Sequence, residues 1–223
     1  YGFENCKRAF TSNKVREKLK IKRNLIIFNQ SEALQDLKNY GFEKIFTMSL
    51  HILNGIEDSK IRDAFAEHGT SFEKVAIGDS LLYGEKSFAD MKHAVKEIFS
   101  YVKSKEALVL VGHGTKHKAN EVYQNLEKYF HTCGMENIFI VTIEGEEGIE
   151  TVIPKLSRMK AEKVWLSPFL IVAGDHANND ICGDEEGSCK SVLEGAGFEV
   201  NCIRRGLGEY EKIRNIFIKH AKE

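Results

Sequence analysis

The sequence predicts an α/β protein of two similar domains, each with a parallel four-stranded sheet flanked by helices, the first domain being incomplete at its N-terminus. Three observations lead there. Short apolar runs alternate with amphipathic segments along the 223 residues, the pattern of strand–helix units that feed a parallel sheet. Two segments share one layout, Glu43 to Glu57 (EKIFTMSLHILNGIE) and Glu162 to His176 (EKVWLSPFLIVAGDH): a Glu-Lys pair, an apolar strand, a Gly, and a titratable side chain two residues on. Lys44 and Lys163, Gly55 and Gly174, and Glu57 and His176 all stand 119 positions apart. The halves are nevertheless unequal, with four strand–helix steps in the second and three strands in the first.

In chain order, Glu4 to Phe10 reads as a short strand, and Thr11 or Ser12 caps a helix over Asn13 to Lys20. Ser31 caps an amphipathic helix, Glu32 to Asn39, with Ala33, Leu34 and Leu37 on one face, and Gly41 stops it. A strand over Lys44 to Leu53, a helix over Ile56 to His68 and a strand over Phe72 to Leu82 follow. The helix Phe88 to Val102 buries Met91, Val95, Ile98 and Phe99. Ser104 and Lys105 form the expected junction, giving domains 1–104 and 105–223 with an active-site cleft between them. Beyond it come the strand Ala107 to Val111, a helix from about Lys118 to His131 stopped at Gly134, and the strand Asn137 to Ile143. Glu147 to Met159 is mostly helical despite Pro154, and Lys163 to Ala173 is a strand. A helix over Ser188 to Glu194, a strand over Glu199 to Ile203 and a terminal helix over Glu209 to Lys222 complete the chain. If the halves are duplicates, the step lacking from the first corresponds to Ala107 to His131, so roughly 30 residues, one strand–helix unit, should precede Tyr1. That strand would be central, and its absence would leave two buried edges unpaired.

A formal net charge of −1 gives no electrostatic case for nucleic acid or an anionic membrane surface. Five cysteines, an odd number without a CxxC, suggest neither a disulfide framework nor a zinc ribbon. Cys182 and Cys189 read as buried or half-buried free thiols rather than joint metal ligands, in keeping with a reducing, cytoplasmic setting. No apolar run is long enough to span a bilayer, and no signal peptide is visible. Oligomeric state is not legible, and a homo-oligomer stays open.

Ionisable groups just past the carboxyl ends of parallel strands are where open α/β sheets keep their chemistry. Three such groups stand out: Glu57, His113 in Ala107-Leu-Val-Leu-Val-Gly-His-Gly-Thr115, and His176. Two imidazoles and a carboxylate suit a divalent first-row metal and leave coordination positions open, and the same groups serve as bases near neutral pH. Each also has a plain structural reading, as a hydrogen-bonding His at a strand end or a first-turn acid on a helix dipole. His51, His117 and Asp175 are second-rank candidates for substrate contact. His68, His93, His131 and His220 read as solvated, and Asp184-Glu185-Glu186 as an exposed loop. Gly112-His-Gly114 lacks the Gly-Lys-Ser/Thr ending of a phosphate loop.

Val111-Gly-His-Gly-Thr-Lys-His-Lys-Ala-Asn120 and Val172-Ala-Gly-Asp-His-Ala-Asn-Asn-Asp180 resemble the two signature segments of the anaerobic-type sirohydrochlorin cobaltochelatases, class II chelatases related in fold to ferrochelatase. Arg8-Ala-Phe-Thr-Ser12, Leu50-His-Ile-Leu-Asn-Gly-Ile-Glu57 and Gly206-Leu-Gly-Glu209 are similar to further segments of that family. The resemblance implies ATP-independent insertion of cobalt(II) into the tetrapyrrole sirohydrochlorin, in anaerobic cobalamin biosynthesis. It implies that His113 and His176 bind the ion and act as bases, that Glu57 completes the site, and that no prosthetic group is needed. Basic side chains should meet the substrate carboxylates, with Arg8, Arg204 and Arg205 as candidates. The family's opening strand with its Gly-Thr-Ser-like turn has no match here, and Cys189 stands where relatives carry a large aromatic. Iron(II) insertion for siroheme, nickel(II) as a substitute metal, and a non-catalytic metal or tetrapyrrole carrier remain as alternatives, because imidazole and carboxylate do not separate these metals by type. A metal-dependent hydrolase is disfavoured by the absence of HExxH.

Overall fold

The computed structural model describes residues 5–116 and 118–221. They form two compact units, one running to Leu81 and taking in the residues from Phe217 on, the other spanning Leu82–Ile216. Both are α/β, with parallel strands and flanking helices.

The first unit opens with α1 (Asn13–Arg23), whose N-cap Ser12 accepts the Val15 N–H. The expected strand before it is not there: Ala9 makes a single parallel bridge to Phe28. Asn5 to Ala9 are exposed and carry no apolar face to bury, so no ladder forms (Glu4 lies outside the described residues). Helix α2 (Gln30–Asn39) begins before the expected cap at Ser31. Asn29 caps it instead, because its side chain and Glu32 exchange 2.7 Å hydrogen bonds in a capping box. β1 (Lys44–Met48), α3 (Ile56–His68) and β2 (Lys74–Gly78) follow, and the two strands pair in parallel from Lys44↔Lys74 to Met48↔Gly78. The unit's sheet therefore has two strands among the described residues, not three. Its core is small: Leu34, Ile45, Ile61, Ala64, Phe65 and Phe72.

The second unit contains α4 (Lys86–Ile98), which the expected junction at Ser104–Lys105 follows rather than precedes. Next come β3 (Glu106–Gly112), α5 (Glu121–Thr132), β4 (Ile138–Thr142) and α6 (Ile153–Met159). β5 (Lys163–Pro168), α7 (Cys189–Gly195), β6 (Val200–Cys202) and α8 (Glu211–His220) complete the sequence of elements, the last turn of α8 grouping with the first unit. Pro154 falls in the first turn of α6, where its missing N–H is not needed. The four strands pair in parallel in the order β4-β3-β5-β6. β3 is central, and Ala107 to Val111 are fully buried. Alternate residues serve two faces: Ala107, Val109 and Val111 join Leu156, Leu166 and Leu193 in one core cluster, leaving Leu108 and Leu110 for the other face. Burial on both faces is why these strands are continuous apolar runs.

β1 and β5 start 119 residues apart, as the repeated layout requires, and both stop about five residues short of their apolar runs. The reason is the same in each half. Past Pro168 the chain pairs with a later loop, Leu207 and Gly208 donating N–H groups to the carbonyls of Leu170 and Ile171 at 2.7 and 2.9 Å. Past Met48, Leu81 donates to His51 O at 2.9 Å. The final apolar residues are loop walls, not strand.

Candidate active site

His113 leaves the carboxyl end of central β3 through a turn that two glycines permit. A Cβ on Gly112 would stand 2.8 Å from the Tyr123 ring, and one on Gly114, at φ +82°, would stand 2.7 Å from the Gly145 nitrogen. The loop after β4 clamps this turn: Ile143 and Glu144 donate N–H groups to the carbonyls of Gly112 (3.0 Å) and His113 (2.8 Å). Gly145 must be Gly for the clamp to close, since a Cβ there would collide with the Thr142 hydroxyl. The His113 Nδ1 lies 3.2 Å from Gly114 O and 3.7 Å from a Glu144 carboxylate oxygen.

His176 sits where the loop after β5 turns helical. The strap from Gly206 to Glu209 holds that loop through the two bonds given above. A Cβ on Gly206 would lie 2.6 Å from Ile171 O and 2.7 Å from Ala173 N, so only Gly admits the strap this close. The next turn, Ala177–Ile181, is π-helical, with the Cys182 N–H reaching Ala177 O at 3.0 Å. Across it the His176 Nδ1 meets Asp180 Oδ2 at 2.6 Å.

The two imidazoles come together, with ring centroids 4.8 Å apart and planes at 85°. Both side chains are a little under half exposed. Each Nδ1 is engaged by oxygen, which leaves each Nε2 as the nitrogen able to take a metal or a proton. Among the described residues no group of three or more His, Cys, Asp or Glu converges to hold a metal; the second unit brings two imidazoles together.

Glu57 belongs to the first unit, in the first turn of α3, with Oε1 2.7 Å from Lys60 Nζ. Burial pushes its carboxyl up, but the Lys60 ammonium and the Thr11 hydroxyl together hold it below the usual carboxylate range. It is ionised at neutral pH. His51 lies between hydroxyls, Nδ1 at 3.1 Å from Ser49 Oγ and Nε2 at 3.3 Å from Thr11 Oγ1. Burial lowers its pKa, against the pull of Glu57 and Asp58, so it favours the neutral form. Thr11, Glu144, Asp180 and the Gly206 strap are the local residues that sequence reasoning did not single out as functional. For Asp180 the signal was its place four residues after His176.

Asp175 opens the turn that carries His176, and His117 lies outside the described residues. Of the four histidines expected to be solvated, His93 is exposed, but His131 Nε2 bonds Ile138 O at 2.8 Å and His220 is buried. Both sit in the last turn of an amphipathic helix, where a ring can turn inward. Asp184 to Glu186 are exposed, as expected. None of the five cysteines forms a disulfide. The adjoining Cys202 sulfur and burial push the Cys182 thiol up, and burial pushes Cys189 up to about 12, so neither offers a thiolate at neutral pH. Arg204 donates to Cys182 O, and Arg205 donates to Glu209 O while lying 4.2 Å from the Tyr210 ring centre. Those contacts occupy part of each guanidinium.

Parallel strands of an α/β protein thus bring two imidazoles together at their carboxyl ends. Comparison with known proteins narrows this class: the chain belongs to the cobalt chelatase (CbiK) family, whose model matches residues 3–223. A sirohydrochlorin cobaltochelatase of Salmonella typhimurium is 30% identical over 216 residues, covering 97% of this chain and 81% of the relative. The sirohydrochlorin cobaltochelatase CbiKC of Nitratidesulfovibrio vulgaris is 31% identical over 221 residues, covering 95% and 76%. The fold is shared with SirB from Bacillus subtilis with Fe3+, at TM-score 0.60, 12% identity and coverage of 96% and 91%. It is also shared with the sirohydrochlorin chelatase SirB of Bacillus subtilis subspecies spizizenii in complex with cobalt, at TM-score 0.53, 12% identity and coverage of 99% and 91%.

Proposed function

We propose that this protein inserts cobalt(II) into sirohydrochlorin without a nucleotide, and that His113, His176 and Glu57 carry the reaction. The observation that carries the reading is the His113–His176 pair, 4.8 Å between ring centres with both Nδ1 atoms engaged. Family membership points to the metal, and the sirohydrochlorin cobaltochelatases among its relatives point to the macrocycle. The metal is substrate. The two Nε2 atoms hold the ion on one face of the ring and exchange those bonds for bonds to pyrrole nitrogens. Two pyrrole N–H protons leave as the ion enters, and the imidazoles freed of metal accept them. Glu57, ionised at neutral pH, is the carboxylate that assists proton transfer. Val172, an exposed apolar side chain on the loop before His176, supplies surface for the flat ring. The free thiols support a reducing cytoplasm as the working compartment; no helix among the described residues is long and apolar enough to cross a membrane.

The test is an absorbance assay of sirohydrochlorin with excess cobalt(II) and substoichiometric protein. Many turnovers per chain, slowed by Glu57→Gln, are expected. A spectral change that stops at one equivalent would replace the chelatase by a carrier. Iron(II) run in parallel reports metal preference.

A further inference from the structure

The two histidines are supported unequally. The His113 Nδ1 faces a carbonyl at 3.2 Å with the Glu144 carboxylate further off at 3.7 Å. The His176 Nδ1 has a carboxylate oxygen at 2.6 Å, the distance of a strong, charge-assisted bond. The backbone is shaped to deliver it. Asp180 reaches His176 across the π-helical turn, a local widening that recurs at functional sites. That turn depends on Gly183, where a Cβ would drive into the Asn179 carbonyl. It is anchored at its start by the Asn178 amide groups, N–H and side chain, which both reach Gly174 O at 3.1 Å. We propose that Asp180 is a positioning residue for metal delivery: its carboxylate accepts the Nδ1–H of His176, fixes the tautomer with the lone pair on Nε2, and locks the ring toward His113.

The proposal rests on the reading of His176 as a cobalt ligand, and its mechanism is general. A carboxylate behind a ligating imidazole holds the ring orientation and strengthens the donor, and its loss costs about 10–100-fold in metal affinity. Asp180 lies close enough to His176 that direct metal binding by Asp180 itself is the rival to exclude.

The test measures cobalt(II) affinity without tetrapyrrole, from the visible ligand-field absorption of the bound ion, on the full chain. Asp180→Ala is expected to weaken binding about 10–100-fold. Asp180→Asn, whose amide oxygen still accepts from Nδ1, recovers much of that loss, and both variants melt with the parent. On a His176→Ala background, Asp180→Ala adds nothing, since the group it positions is gone. Unchanged affinity in Asp180→Ala overturns the proposal. An equal loss from Asp180→Ala with or without His176 also overturns it, in favour of Asp180 as a ligand or a fold element. If His176→Ala itself leaves affinity and insertion unchanged, the ligand reading beneath it fails, and that outcome is visible before Asp180 is touched.

Discussion

In the second unit β3 runs between β4 and β5, and Ala107 to Val111 are fully buried. In the first, β1 pairs with β2 alone among the described residues, and Phe46 and Val75 are 41% and 38% exposed. Yet β1 and β5 begin from the same Glu-Lys layout and run equally apolar. The difference teaches that a parallel strand's burial comes from strands on both sides and helices on both faces. Its own composition is a requirement, not a cause. The histidine pair stands on the unit whose central strand is fully buried, and a rigid strand is the support that a functional site needs.

Truncation breaks or upholds this contrast most sharply. Leu110→Ala empties a fully buried site in β3 and is expected to cost about 2–5 kcal/mol. Phe46→Ala removes a larger side chain from a half-open one and should cost about 1 kcal/mol or less. Urea unfolding of both variants checks this, and a Phe46 loss equal to that of Leu110 would remove the distinction.

The next effect concerns the loops rather than the sheets. Gly206→Ala pushes the strap off the loop that carries His176, and a shift of that kind costs insertion about 10²-fold. Gly69→Ala in the first unit is the control. At φ −62°, with nothing nearer than 3.7 Å to its new Cβ, it should leave activity alone and stabilise by up to about 1 kcal/mol. Steady-state insertion rates separate the two glycines.

A smaller effect is confined to the first unit. His51 has a pKa lowered in the folded state by burial, while Glu57 and Asp58 oppose that shift and Lys60 adds to it. Below the unfolded value of 6.5 the unfolded chain gains a proton that the folded one resists. Stability present above that pH therefore declines as pH falls through it toward the folded pKa. His51→Gln flattens this slope in urea midpoints taken across the range; a slope that survives the substitution would assign it to other groups. Least of all, Lys105→Ala removes an exposed 3.0 Å pair with Glu162 beside β3 and β5 and should change stability by about 0–1 kcal/mol. A larger loss would mean that ion pairs, not burial, hold the second sheet.

Much of this architecture was legible in periodicity. Helix Ile56–His68 and its Gly69 stop, the four strand–helix steps of the second half and the repeat at 119 positions all follow from apolar spacing and caps. Strand ends were not legible. Leu170 to Ala173 are apolar yet form a loop, because the Gly206–Glu209 strap bonds the carbonyls of Leu170 and Ile171 from 37 residues further along the chain. The opening strand failed for the opposite reason: Asn5 to Ala9 have the length but no face to bury. At the site, His113 and His176 were visible as strand-end histidines. Their 4.8 Å approach and the roles of Glu144 and Asp180 depend on loop geometry that no single stretch encodes.

The central claim is that the His113–His176 pair performs cobalt insertion. The most direct measurement is the insertion rate of wild type, His113→Ala, His176→Ala and the double variant, followed through the visible spectrum of sirohydrochlorin at fixed cobalt(II). Each single substitution should lower the rate by about 10²-fold or more, and the double variant should match the uncatalysed reaction while still unfolding cooperatively. A folded double variant that inserts cobalt at the parent rate would contradict the account and send the search for the metal site elsewhere in the chain.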